Sequence, residues 1–346
     1  MEQKNFDPDG VGVDNGTYFG LPFAPETAEL VLISAPWDVT VSYGAGAAYA
    51  PDAIIEASTQ LDFHDPLAPG AWRRGIATAD VDYSLLESSQ RLRADAARVI
   101  DHLEGGGCLE DDYVVRKVRR VNEGCMSMNA NVGAQASRWL DAGKTVGLVG
   151  GDHSTPYGLI RALGARHAAF GILHVDAHCD LRDAYEGFEF SHASIMFNVL
   201  RDVPAVTKIA QVAVRDFSES EAALAASSGR IATFDDLSLA AALFHGETWD
   251  AQCRRIVDAL PQEVYVSFDI DALTFENCPH TGTPVSGGLT FNQAVWLLDT
   301  LTRSGRRIIG FDVVEVCPAP DERIDAITGA RMLWKLCGQT LKSNES

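Results

Sequence analysis

Six short runs rich in valine, isoleucine and leucine punctuate the chain, at residues 30–35, 145–149, 171–175, 209–214, 264–270 and 307–313. Runs that are apolar at nearly every position, rather than at alternate ones, mark strands covered on both faces. The segments between them read as helices at 51–60, 90–104, 129–142, 156–163, 252–260, 292–302 and 326–341, with Pro51 and Pro156 suited to first turns. Strand then helix, repeated, predicts an α/β fold with a central, mainly parallel sheet covered by helices on both sides.

The stretch 105–124 breaks this rhythm. Three consecutive glycines lead into Glu110-Asp-Asp112 and then Arg116-Lys-Val-Arg-Arg120. It is expected to be an exposed excursion with solvated charges, an oligomer contact being the sharper alternative. The chain is 346 residues long. At roughly 100 to 200 residues per domain that length admits two domains, but the unbroken rhythm favours one. We expect a single catalytic domain over 30–341, an N-terminal extension over 1–29 and a tail over 342–346.

Charge narrows the function. With 28 basic against 48 acidic side chains, the formal charge is −20. Such a surface repels phosphate backbones and attracts cations, so nucleic-acid binding is disfavoured and a cationic substrate favoured. No stretch approaches the ~18 apolar residues of a membrane span, and no basic segment precedes an apolar run at the N-terminus. The seven cysteines are odd in number and lack Cys-x-x-Cys spacing. They argue against a disulfide framework or zinc ribbon and fit a reducing cytoplasm.

Chemistry concentrates at three strand ends. In His174-Val-Asp-Ala-His-Cys-Asp180, alternation puts His174, Asp176, His178 and Asp180 on one side. Such groups at the end of an apolar strand cost several kcal/mol unless paired or metal-bound. Ser267-Phe-Asp-Ile-Asp271 delivers two more carboxylates pointing the same way, which a shared divalent cation would reconcile. In Val149-Gly-Gly-Asp-His-Ser154 two glycines permit a tight turn that can aim His153 into the same place. Two histidines and four aspartates from three strand ends point to a two-metal site. Hard oxygen ligands with few imidazoles and no thiolate favour Mn²⁺ or Ni²⁺ over structural zinc.

In order and spacing these motifs resemble the ureohydrolase family of arginases and agmatinases. Thr281-Gly-Thr-Pro-Val-Ser-Gly-Gly-Leu289 and Gly310-Phe-Asp-Val-Val-Glu-Val316 extend the similarity over most of 30–335. The resemblance implies a three-layer α/β/α arginase-like fold. It also implies that His153 and Asp180 hold one ion, His178 and Asp271 the other, and Asp176 and Asp269 both. It gives Glu315 the substrate's guanidinium and His192 a proton-shuttling role toward a departing amine. Two such ions would bring the pKa of water towards ~7 and so provide a nucleophile for a poorly electrophilic carbon.

Some positions depart from the family pattern: Tyr43-Gly-Ala-Gly46, Ala50-Pro51, Thr274-Phe275 and Ser191-His-Ala-Ser194. The loop 181–191, mixing charge and aromatics, is the expected substrate selector, and with Ser191-His-Ala-Ser194 it most resembles the guanidine-hydrolase side of the family. Without an arginase-type cradle for an amino acid, the expected substrates are agmatine, 4-guanidinobutyrate, free guanidine or a small alkylated guanidine. A biguanide such as metformin is the runner-up, as is a catalytically silent subunit in a mixed oligomer. The resemblance also implies self-assembly as a trimer or hexamer.

Overall fold

The structure is a computed structural model that describes residues 6–345; residues 1–5 and 346, at the ends of the expected extension and tail, lie outside the described residues. Among those described, eight strands form one sheet: β1 Leu30–Ala35, β2 Ile76–Thr78, β3 Thr145–Gly150, β4 Phe170–Val175, β5 Val206–Val212, β6 Ile231–Phe234, β7 Glu263–Asp269 and β8 Arg307–Val314. Every pairing is parallel, in the order β2-β1-β3-β8-β7-β4-β5-β6. All six apolar runs are strands. The two strands that were not anticipated, β2 and β6, are the sheet's edges. They have only three and four residues, too few to make a readable apolar run.

Ten helices flank the sheet: α1 Ala50–Ser58, α2 Tyr83–Glu104, α3 Asp112–Asp141, α4 Tyr157–Gly164, α5 Ile195–Asp202, α6 Glu219–Ser227, α7 Asp236–Phe244, α8 Trp249–Asp258, α9 Phe291–Arg303 and α10 Ile324–Ser343. They divide the core in two. Leu30 and Leu32 of β1 pack with residues of α1, α8, α9 and α10, while Val31 and Ile33 turn to the residues of α2, α3, α4 and α5. That period-two division, with both sides apolar, is why the strand runs are continuous. The result is the expected three-layer α/β/α arrangement.

The main correction concerns 105–124. Only its first residues form a loop; from Asp112 onward it belongs to α3, a helix of 30 residues. Its buried residues, Val114, Val121, Cys125, Met128, Val132, Ala136 and Trp139, follow helical spacing. The dense charge of Arg116 to Arg120 on the outer face hides that stripe. Likewise α2 begins at Tyr83, ahead of the expected start, after Asp82 accepts a hydrogen bond from the Ser84 amide. Tyr18 and Phe19, in the segment expected to be an extension, are buried against the first core, with Tyr18 Oη 2.8 Å from Ser34 Oγ.

Parallel register sets up the site. Val149 pairs with Val313, Val313 with Phe268, and Phe268 with Val175, so the carboxyl ends of β3, β8, β7 and β4 align across the middle of the sheet. The residues just beyond this row are His153, Glu315, Asp269 and Asp176, at the edge where open parallel sheets present ligands. Helix α4, which starts just after His153, is pressed against α3 at Gly158, where a Cβ would lie 2.4 Å from the Asn129 carbonyl and 2.8 Å from the Gly133 nitrogen. Gly158→Ala should therefore cost about 1 to 3 kcal/mol of stability, read as a lower Tm by circular dichroism; an unchanged Tm would contradict this close helix contact.

Candidate metal centre

Each site residue leaves its strand by a different local device. After β3 the chain passes so close to Trp37 that a Cβ on Gly151 would lie 1.9 Å from the Trp37 carbonyl oxygen, and the Asp152 amide donates to that oxygen at 2.8 Å. Only glycine allows that passage, which turns His153 inward. Asp176 follows β4 directly, while Asp180 is turned back by a left-handed backbone (φ 54°). Asp269 is the last residue of β7, and its Oδ1 accepts the Asp271 amide at 2.9 Å in the turn that follows. Glu315 also needs φ 61°, and its amide donates to the Gly151 carbonyl at 2.8 Å.

These devices bring all six expected ligands into one cluster, buried except at half-buried His178. His153 Nδ1 stands 2.9 Å from Asp176 Oδ2, 3.0 Å from Asp180 Oδ2 and 3.2 Å from Asp269 Oδ2. His178 Nδ1 stands 3.1 Å from Asp271 Oδ2 and 3.5 Å from Asp176 Oδ1. Asp176 thus belongs to both groups. His153 Nδ1 and Asp271 Oδ2 are buried yet make no well-formed hydrogen bond, although partners surround them. A buried polar atom left in this state is costly, and a shared cation between these atoms would relieve it. The donor set of imidazole nitrogen and carboxylate oxygen therefore fits two divalent ions.

Behind these residues stands a layer that the sequence did not reveal. His153 Nε2 lies 2.9 Å from Ser267 Oγ, which donates to Asp312 Oδ2 at 2.9 Å, leaving Nδ1 as the nitrogen that faces the carboxylates. His174 lies on the expected side of the strand, but its Nε2 is directed at Asp176 Oδ2 (2.7 Å), so it braces a ligand. Arg215 was singled out by no motif. Its Nη2 donates to the Asp271 carbonyl at 2.6 Å and the Val285 carbonyl at 3.0 Å, and its Nη1 to the Ala213 carbonyl at 3.0 Å. One planar, multidentate cation joins the backbones of three loops. Only its arrival in space beside Asp271 marks it as important.

The cluster opens into a cleft of about 460 Å³ that also exposes Glu315, His192, Tyr43, Asp216 and Phe217. Glu315 is buried; Oε1 accepts the His153 amide at 2.8 Å, and burial, then the neighbouring Asp152, pushes its carboxyl well above the usual range. His192 is also buried. Burial first, then His178 and His153, push its imidazole down to about 3, so it is neutral near pH 7 rather than titrating there as an exposed histidine would. In loop 181–191, Arg182 pairs with Glu221 at 2.9 Å and lies over the Tyr185 ring, which is edge-on to His192. Ala184 and Glu186 both have positive φ (50° and 56°), so the loop is held in a strained shape beside the cleft.

The family model for arginases matches residues 28–338. The chain is 30% identical over 322 residues to an N(1)-aminopropylagmatine ureohydrolase of Thermus thermophilus, covering 92% of this chain and 93% of that one. It is 31% identical over 322 residues to an agmatinase of Serratia proteamaculans, covering 91% and 89%. The chain belongs to the arginase family. Its fold is also that of the proclavaminate amidino hydrolase of Streptomyces clavuligerus, at TM-score 0.73 and 22% identity over 95% of this chain and 97% of that one. As an arginase-family member the chain is a metal-dependent hydrolase of the ureohydrolase type, acting on amidine C–N bonds.

The carboxylates of the cluster favour protons on its two imidazoles. Burial opposes charge on His153, but Asp176, Asp180 and Asp269 overcome it and hold the imidazole well above its usual range; Asp271 and Asp176 do the same for His178. Ions entering the cluster must displace those protons, so metal affinity should rise with pH. Calorimetric titration with Mn²⁺ in buffers of different ionisation enthalpy should show proton release; an affinity flat between about pH 6 and 8 would contradict it. Arg215→Lys keeps the charge but cannot span the same carbonyls, and should weaken ion binding roughly ten- to hundred-fold, measured as metal retained after dialysis.

Proposed function

We propose that the chain hydrolyses a C–N bond of a guanidinium compound bearing an alkyl arm, of the agmatine type, and releases urea and an amine. The observation that carries this reading is the adjacency of Glu315 to the ligand cluster: a carboxylate tied to the His153 backbone, on the floor of a cleft far larger than a bare guanidinium fills. In this reading His153 and Asp180 hold one ion, His178 and Asp271 the other, and Asp176 and Asp269 both. Two divalent ions, Mn²⁺ or Ni²⁺, supply Lewis-acid activation of water when bound.

The remaining work belongs to the chain's own side chains. Glu315 Oε2 is the oxygen free to accept from the forked N–H donors of a guanidinium, and that cation supplies the charge its raised pKa demands. This fixes the planar carbon over the carboxylate cluster. His192 has Nδ1 3.3 Å from Ser191 Oγ, which leaves Nε2 for the cleft. Its unprotonated Nε2 can relay the proton released by the attacking water to the departing nitrogen. Exposed Asp216 on the cleft wall has no ion-pair partner among the described residues and suits a cationic arm. The names of the relatives, an aminopropylagmatine ureohydrolase and an agmatinase, support such a substrate. Action in the cytoplasm and self-assembly as a trimer or hexamer complete the proposal.

The test is a panel of agmatine, 4-guanidinobutyrate, guanidine, methylated guanidines and metformin, each with Mn²⁺ and Ni²⁺, measuring urea and amine separately. Agmatine-type turnover with urea release is expected. Turnover of metformin alone, with amine release, would replace the substrate with a biguanide, and silence toward all of them would favour a subunit that needs a partner. Asp269→Asn should abolish turnover and remove much of the bound metal. Unchanged activity and metal content in that variant would refute the metal assignment. Glu315→Gln should lower kcat/KM by about 100-fold or more while metal content stays at the wild-type level.

A further inference from the structure

One wall of the cleft is the segment Thr283-Pro-Val285. Just before it, Gly282 lies against both Glu315 and the N-terminal loop: a Cβ there would be 3.2 Å from Glu315 Oε2 and 3.0 Å from the Gly44 carbonyl, and the Gly44 amide donates to the Gly282 carbonyl at 3.0 Å. The wall therefore sets the space beside the one Glu315 oxygen free for substrate.

Besides the Gly44 amide, two side-chain clasps hold this wall and the chain leading into it, and they differ in what else they touch. At Val285 the clasp is Arg215, which also grips the carbonyl of Asp271, so the wall and a metal ligand share it. The other clasp is His280. Its Nδ1 lies 2.8 Å from Asp325 Oδ2, and its amide donates to Asp325 Oδ1 at 3.0 Å. Asp325 is fully buried in the first turn of α10, while the His280 side chain is partly exposed. A carboxylate buried that deeply must keep a donor, so the contact is persistent. Among the described residues His280 makes no hydrogen bond or ion pair with the ligand cluster.

We propose that His280 is a positioning residue for guanidinium binding: fastened to Asp325, it fixes the Gly282–Val285 wall against Glu315 independently of the metal centre. The proposal rests on the reading of the cleft as a guanidinium site. A change confined to substrate placement raises KM and leaves kcat, whereas damage to the ions lowers kcat. Asparagine can set its side-chain N–H where Nδ1–H stood; alanine cannot.

The experiment compares His280→Ala and His280→Asn with wild type in metal content, steady-state kinetics on the substrate turned over, and amide exchange by mass spectrometry. His280→Ala should keep wild-type metal and a kcat within about two-fold, raise KM on the order of ten-fold, and speed exchange of the Gly44 amide and of residues 276–286. His280→Asn should restore most of both. Asp325→Asn tests the same clasp from its buried side if the alanine variant folds poorly. The proposal is overturned by wild-type KM and exchange in His280→Ala, by equal losses of kcat and metal, or by failure of His280→Asn to rescue. If wild type turns over no guanidinium, the proposed function falls, while the exchange comparison still decides whether His280 fixes the wall.

Discussion

The structure depends on an electrostatic debt that its own fold creates. Asp176, Asp180, Asp269, Asp271 and Glu315 are all buried within one small region at the ends of three adjacent strands, β4, β7 and β8. Burial and mutual repulsion push Asp269 and Asp180 upward, while Asp176, despite its burial, is held low by His174, His153 and His178. No arrangement of neutral side chains satisfies five such groups. The surroundings provide imidazoles and backbone donors, and divalent cations would relieve the charge that remains.

Backbone strain is placed where these acids gather. Asp180 and Glu315, two of the five acids, sit at positive φ, and so does Ala213 just before Arg215. Each such residue costs on the order of 1 to 3 kcal/mol, which the surrounding sheet and helices must over-determine. The sheet is suited to this, because eight parallel strands buried on both faces leave the central ones no freedom to relax. Rigid strands carry the ligands to the edge of the sheet; the turns that follow aim them.

The sequence made the middle of this molecule legible and its margins less so. All six apolar runs are strands, and the motifs at their ends supply the clustered histidines and aspartates. Both follow from local chemistry: a doubly buried strand must be apolar throughout, and buried acids at its end need a reason. Edge strands β2 and β6 carry too little apolar sequence to stand out. The start of α3 was masked because its solvent face is crowded with charge while its buried stripe is sparse. Arg215 and the pair His280 and Asp325 were unreadable for another reason, and so were the roles of Ser267 and Asp312, although both lie inside motifs that carry the family resemblance. What matters is their partners, 45 to 114 residues away along the chain. His192 was visible, but burial moved it far from the pKa that its type alone implies.

The aligned row of Val149, Val313, Phe268 and Val175 has a further implication. Because side chains alternate along a strand, sliding any one of the four by a single position would withdraw its site residue and also turn its apolar residues toward the wrong helical layer. Packing and coordination are therefore written in the same alignment. A length change inside these strands is forbidden twice over, and the short turns that immediately follow them are held to one path by the same site residues.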